Sequence, residues 1–257
     1  MELVPRIEPA VSEIWSARGP LRVAEIRLGG VPRGAAVVLC DAGTLERDAA
    51  AVMNGLAGQG YESVAADLSA AVGRPAAGAA GTAAIDRALV DGVAVLVDRL
   101  AGRGWAPDQV GLVGYGLGGR AALLAAAKSS LGAAVSVAPT SVASPRSGTP
   151  AALDPVARPV RTPWLGMFAQ EDPDAPPSAV RKLGEFLQAR SAVHTEVVCY
   201  PGVTGAFCHE SRGTLAHAAS FDSWQRTVEW LNLRVVPRPT ALGEAWRQRT
   251  RAARDGG

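Results

Sequence analysis

Residues 114–119 read Gly114-Tyr115-Gly116-Leu117-Gly118-Gly119 and join a short apolar run, Val110 to Gly114, directly to an Ala/Leu-rich run, Leu117 to Lys128. So many glycines at a strand-to-helix junction restrict the fold, and they admit more than one reading. Gly114, Gly116 and Gly119 satisfy G-x-G-x-x-G, whose glycines let a pyrophosphate approach a helix N-terminus. That fingerprint normally opens the first βαβ unit, whereas this one lies near mid-chain. Pro139, Thr140 and Ser141 also stand where its acidic residue is expected. The second reading is a nucleophile elbow, G-x-nucleophile-x-G, with Gly114 and Gly118 as the small flanks that let strand and helix approach closely. Gly116 then holds the nucleophile position. The elbow strains its central residue, a cost that a catalytic Ser or Cys bears and glycine avoids. The turn is kept and the nucleophile is gone. A plain glycine-rich turn with no catalytic ancestry is a third reading.

Around this junction, strand-like and helix-like runs alternate. Leu21 to Leu28, Ala35 to Cys40, Tyr61 to Ala66, Val110 to Gly114, Ala133 to Ala138, Trp164 to Ala169 and Val193 to Tyr200 read as strands. Leu45 to Ala57, Ile85 to Leu100, Leu117 to Lys128, Pro177 to Leu187 and Leu215 to Leu231 read as helices. Ser69 to Gly81 and Ser141 to Val160 read as loops. Short apolar strands between helices imply a mainly parallel sheet covered on both faces. Residues 1–236 form one α/β domain on this reading. Residues 237–257 form an appendage after Pro237 and Pro239, with a short helix over Ala241 to Arg251 or no order.

Composition narrows the class. A chain of 257 residues, 48% hydrophobic and 19% charged, suits one soluble domain with a large core. The net charge of +2 gives no general case for nucleic acid or an anionic membrane as partner. The arginines at 247, 249, 251 and 254 read as a solvated tail. Cys40, Cys199 and Cys208 have no C-x-x-C spacing, so neither a disulfide scaffold nor a zinc site is expected. No apolar run suits a signal peptide or a membrane span, and a cytoplasmic location is the default expectation. No cofactor or metal is implied, and the expected partner is a small molecule.

Several further segments, taken in order, carry a resemblance. They are Val37-Val38-Leu39-Cys40-Asp41, Gly60-Tyr61, Ala66-Asp67-Leu68, Asp154-Pro155-Val156-Ala157, Pro163 to Pro173, Tyr200 to Phe207, and Ala218 to Leu231 with Trp224, Arg226 and Thr227. Together they resemble the dienelactone hydrolase family over roughly Leu21 to Leu231. The resemblance implies an α/β-hydrolase fold, a mainly parallel central sheet with helices on both faces. It places the nucleophile position at Gly116, the triad acid at Asp172 and the triad histidine at Gly205. The acid matches the family pattern; the other two positions depart from it. The family glutamate after the early strand becomes Asp41. The oxyanion donors become the backbone N–H groups of Leu117 and Ala42, which survive side-chain replacement. Tyr115, Cys40, Cys208, His209 and Arg212 are expected around the pocket, with His209 or Arg212 placed to hold a substrate carboxylate.

Acyl transfer by a triad needs a nucleophile, a base and an orienting acid, and glycine supplies neither of the first two. Three functions stay open: a protein that binds a small carbonyl or carboxylate compound without hydrolysing it; a cyclase, isomerase or lyase using the retained pocket and oxyanion hole; and a residual hydrolase using Cys208 and His209 on the loop after Gly205. Cys40, at a strand end facing the pocket, is a further nucleophile candidate. His194 and Cys199 read as structural, and His217 as a surface residue.

Overall fold

The computed structural model describes residues 6–16, 19–40, 45, 48–68, 72, 79–140, 159–205, 207, 213–240, 242–246 and 249. Eight strands form one sheet: β1 (Ala10–Ser16), β2 (Gly19–Ile26), β3 (Gly34–Cys40), β4 (Tyr61–Asp67), β5 (Val110–Tyr115), β6 (Ala133–Val137), β7 (Trp164–Ala169) and β8 (Thr195–Tyr200). The main helices among the described residues are α1 (Asp48–Gly58), α2 (Ala79–Ala101), α3 (Leu117–Lys128), α4 (Pro177–Arg190) and α5 (Thr214–Arg234). The strand order is β1-β2-β4-β3-β5-β6-β7-β8. β1 and β2 form an antiparallel hairpin, β2 runs antiparallel to β4, and the rest of the sheet is parallel.

Alternation along the buried strands feeds two cores. On β3, Ala35, Val37 and Leu39 face one layer with Leu89 and Leu96 of α2, Ala121 and Ala125 of α3, and Leu183 of α4. Ala36, Val38 and Cys40 face the other, with Met53 of α1 and Trp230 and Leu231 of α5. Strands buried on both sides carry no polar alternation, which is why they read as continuous apolar runs. Arg120 on α3 is 1% exposed and holds Asp86 of α2 through Nε at 2.7 Å and Nη2 at 2.9 Å, so an ion pair ties the two helices together.

Two expectations need correction. The hairpin strand β1 does not show in the apolar pattern, because all of its residues are exposed or only half-buried. Helix α2 starts at Ala79, inside the stretch read as a loop from Ser69 to Gly81. Alanine is the best helix former, so an Ala/Gly-rich run is as able to begin a helix as to form a loop. The remainder of that stretch lies outside the described residues, apart from Val72, as does the expected loop from Ser141 up to residue 158.

The chain past Pro237 begins with a docked residue. The Arg238 guanidinium lies 3.6 Å from the centre of the Trp105 ring, and its Nη2 donates to the Gly104 carbonyl at 2.8 Å. Residues 242–246 are helical, within the expected segment. No helix of the described residues is long and apolar enough to cross a membrane.

Candidate functional site

The connectivity locates the site. From β3 the chain passes through α1 to β4 on one side, then through α2 to β5 on the other side of β3. β3 and β5 therefore flank the point where the winding reverses, where open α/β sheets bind ligands beyond the strand ends. Cys40 ends β3 and Tyr115 ends β5. The loops that carry Asp172 and Gly205 leave the same edge of the sheet from β7 and β8.

Gly116 makes the turn from β5 into α3 with φ 52° and ψ −115°. These angles match the first central position of a type II′ turn, which glycine dominates. A Cβ on Gly114 would lie 2.7 Å from the Gly119 nitrogen and strike the Gly118 carbonyl, while one on Gly118 would lie 2.8 Å from the Leu39 Cβ and strike its carbonyl. Backbone thus meets backbone on both sides of the turn. Gly116 N–H donates to the Val137 carbonyl at 3.0 Å, and the Gly116 carbonyl accepts from Arg120 and Thr140 N–H, each at 3.1 Å. Beneath it, Ser136 Oγ donates to the Gly119 carbonyl at 2.7 Å and accepts from Trp164 Nε1 at 2.9 Å. Ala138, buried just past β6, adopts φ 44°. A left-handed conformation costs a residue with a Cβ about 1–2 kcal/mol, so the end of β6 is strained beside the turn.

The dinucleotide reading does not survive this topology. The glycine motif follows the fifth strand of an order unlike 3-2-1-4-5-6, and Ala138-Pro139-Thr140 offers no carboxylate after β6.

Asp172, the expected acid position, lies on the loop after β7. Asp172 N–H donates to the Ala169 carbonyl at 3.3 Å, and Asp172 Oδ1 accepts from Asp174 N–H at 2.9 Å. Gln170 N–H bonds the Tyr200 carbonyl at 2.9 Å and Glu171 N–H bonds the Val203 carbonyl at 3.1 Å, which stitches this loop to the one after β8. As a result Asp172 and Gly205 stand side by side. A Cβ on Gly205 would lie 3.0 Å from the Asp172 Cγ and 3.6 Å from Oδ1, with Oδ2 nearer still. The carboxylate occupies the space into which a side chain at Gly205 would grow.

The loop after β8 is anchored at its root. Tyr200 OH donates to Asp222 Oδ2 at 2.8 Å, and Arg226 Nε donates to the same oxygen at 2.7 Å. Burial and then the Asp222 carboxylate push the Tyr200 phenol far above its ordinary range, so it remains a donor. The Tyr200 and Phe207 rings meet at 5.2 Å. A cavity of about 470 Å³ lies between this loop and the start of α5, lined by Val203, Thr204, Phe207 and Leu215.

Cys40 is 4% exposed and faces the α1/α5 layer. Tyr115 is half-buried against that layer, and Leu117 opens α3. Asp41, Ala42, Cys208, His209 and Arg212 lie outside the described residues. His194 lies away from these loops, stacked on Trp230 at 5.2 Å, and His217 is exposed on α5. The sequence reading missed the supporting residues Ser136, Ala138 and Trp164. Their roles depend on pairings across strands that leave no local signal.

The dienelactone hydrolase family matches residues 28–234. The chain belongs to that family. Solved structures agree on the fold. A Klebsiella pneumoniae protein assigned as a dienelactone hydrolase superposes with a TM-score of 0.68 at 21% identity, covering 88% of this chain and 99% of its own. A dienelactone hydrolase-like promiscuous phosphotriesterase from metagenomic libraries gives 0.65 at 16% identity, covering 90% and 100%. Thermogutta terrifontis esterase 2, solved phosphorylated by paraoxon, gives 0.62 at 17% identity, covering 90% and 96%. A comparison with curated proteins finds no match. Within this dienelactone hydrolase family member, Gly116, Asp172 and Gly205 follow β5, β7 and β8 at one edge of the sheet.

Proposed function

We propose that this member of the dienelactone hydrolase family binds a small carbonyl or carboxylate compound at the C-terminal edge of its sheet and does not hydrolyse it through a covalent acyl-enzyme. The observation that carries this reading is Gly116, which holds the strained turn between β5 and α3 and offers no side-chain atom there. Gly205 supports it, because the residue beside the Asp172 carboxylate carries no side chain and so no imidazole of its own. Without nucleophile and base, only residual catalysis from binding and backbone donors is expected. The N-terminus of α3 at this edge favours an oxygen bearing negative charge. Asp172 fills the space beside Gly205, so loss of the histidine position does not leave a wider cavity at that point. This weighs against a cyclase, isomerase or lyase accommodating a larger substrate there.

The test uses paraoxon, which phosphorylates activated nucleophiles, together with calorimetric titration of a panel of small carboxylates and ketones. The expected result is saturable binding of at least one compound and an unchanged intact mass after paraoxon treatment. A paraoxon adduct that forms as an esterase activity disappears would overturn the reading, and so would failure of the whole panel to bind.

A further inference from the structure

A second cleft lies on the other side of the molecule from these loops, between the β1–β2 hairpin and the C-terminal end of α2. It is built on a buried carboxylate. Glu25 of β2 is 7% exposed, and a charge taken from water needs close partners. Arg99 Nε donates to Oε1 and Arg99 Nη2 to Oε2 at 3.0 Å, a forked pairing. Arg103 Nη2 also donates to Oε1, and Arg27 Nη2 approaches Oε2 at 3.7 Å. Glu62, likewise buried, accepts from Trp105 Nε1. Arg103 Nη1 lies 3.9 Å from Glu62 Oε1, an ion pair beyond hydrogen-bond distance, and is buried without a hydrogen-bond partner among the described residues.

Among the described residues, three guanidinium groups therefore face two carboxylates, an excess of one positive charge. The end of α2 does not absorb it. The carbonyls of Asp98, Leu100 and Ala101 already accept from Gly102, Arg103 and Gly104 N–H at 2.8, 2.9 and 2.8 Å. Arg27, Arg99 and Arg103 instead line a cleft of about 410 Å³ whose other walls are Ile14, Val95 and Gly102. Glu25 holds Arg99 and Arg103 in fixed orientations from behind, which lowers the ordering cost of a ligand that meets their outer faces. Arg99 and Arg103 direct N–H groups at Glu25 and contribute mainly charge, whereas Arg27, 66% exposed and 3.7 Å from Glu25, can turn its guanidinium fork to carboxylate or phosphate oxygens, and Ile14 and Val95 suit an apolar body.

We propose that this cleft binds an organic oxyanion, a carboxylate or phosphate group carried on a short apolar body, with Arg27, Arg99 and Arg103 as the recognising side chains. The site is distinct from the strand-end loops and does not depend on the function proposed for them.

The full chain is titrated with hexanoate, hexyl phosphate and hexanol at constant ionic strength by calorimetry, and the titrations are repeated with Arg27→Gln and Arg103→Gln. At least one anion should saturate a site that hexanol does not, and Arg27→Gln should weaken it about tenfold, as expected for loss of a charged hydrogen bond. The two anions separate a carboxylate site from a phosphate site. Arg103→Gln removes a partner of buried Glu25 and will lower stability. Arg27 is 66% exposed, so Arg27→Gln keeps the fold and decides the matter. Anions that do not bind, that bind Arg27→Gln as tightly as the parent chain, or that bind no better than hexanol overturn the proposal.

Discussion

The Asp172 carboxylate lies directly against the bare α-carbon of Gly205, with Cγ 3.0 Å from where a Cβ would stand. Whether the neighbour can move decides the cost of any side chain there. The obstructing atoms belong to an aspartate side chain, which can rotate at the expense of its hydrogen bond from Asp174 N–H at 2.9 Å. Gly205→Ala is expected to cost about 1–2 kcal/mol, in the range for mild overpacking plus one lost hydrogen bond. In an Asp172→Ala background the same change should cost close to nothing. Urea unfolding of the four proteins gives the coupling directly, and additive effects would mean that the two residues do not touch.

The same contact governs an attempt to install a hydrolytic triad on these loops. Gly116→Ser must adopt φ 52°, which costs a side-chain-bearing residue about 1–3 kcal/mol. Gly205→His must turn Asp172 aside, after which the carboxylate can accept from the imidazole as an orienting acid does. The double variant should hydrolyse p-nitrophenyl acetate measurably above the parent, and each single variant should do far less, because triad members act as a unit. A folded double variant with no gain would remove Gly116 and Gly205 from the nucleophile and histidine positions.

Gly114 and Gly118 differ from Gly205 in what a Cβ would strike. Their obstructions are the backbone of Gly118 and Gly119 in one case and of Leu39 in the other. Backbone held in a sheet and a helix cannot swing away. Gly118→Ala is therefore expected to destabilise by about 3 kcal/mol or more, well beyond Gly205→Ala, or to prevent folding. Denaturation midpoints of the two variants check the ranking. A Gly118→Ala protein as stable as the parent would show that α3 does not press on β3 as closely as described.

The sequence made the sheet and its strand-end loops legible, because β3, β5 and β7 are continuous apolar runs and the turn motif names its own geometry. Asp172 and Gly205 could be paired only through ordered family segments, since no local pattern links positions on different loops. That the carboxylate fills the space at Gly205 is a rotamer fact with no trace in the sequence. β1 was hidden because it buries no residue fully, with Trp15 81% exposed. The Glu25 cluster was hidden for another reason. Arg99 and Arg103 lie 74 and 78 residues from Glu25, and only the passage of α2 across the hairpin joins them.

That cluster sets a pH dependence. Burial pushes the Glu25 carboxyl up, but the Arg99 hydrogen bond and the charges of Arg103, Arg99 and Arg27 outweigh it and hold the group below the usual carboxylate range. A carboxyl with a lowered folded pKa stabilises the protein above its unfolded pKa, here the ordinary 4.5, and that stabilisation is lost as pH falls toward the folded value. Stability from Glu25 should thus be complete near neutral pH and decline below about pH 5. Glu25→Gln removes the titrating group and leaves Arg103, only 15% exposed, without its closest charge partner. The variant should lose about 2–3 kcal/mol at pH 7, since breaking a largely buried pair costs several kcal/mol and Arg99 is partly solvated. Its deficit should shrink toward pH 3.5, because the parent then gives up the same interaction. Urea unfolding of both proteins across this range measures the difference, and a deficit that stays constant with pH would show that Glu25 titrates as it does in the unfolded chain.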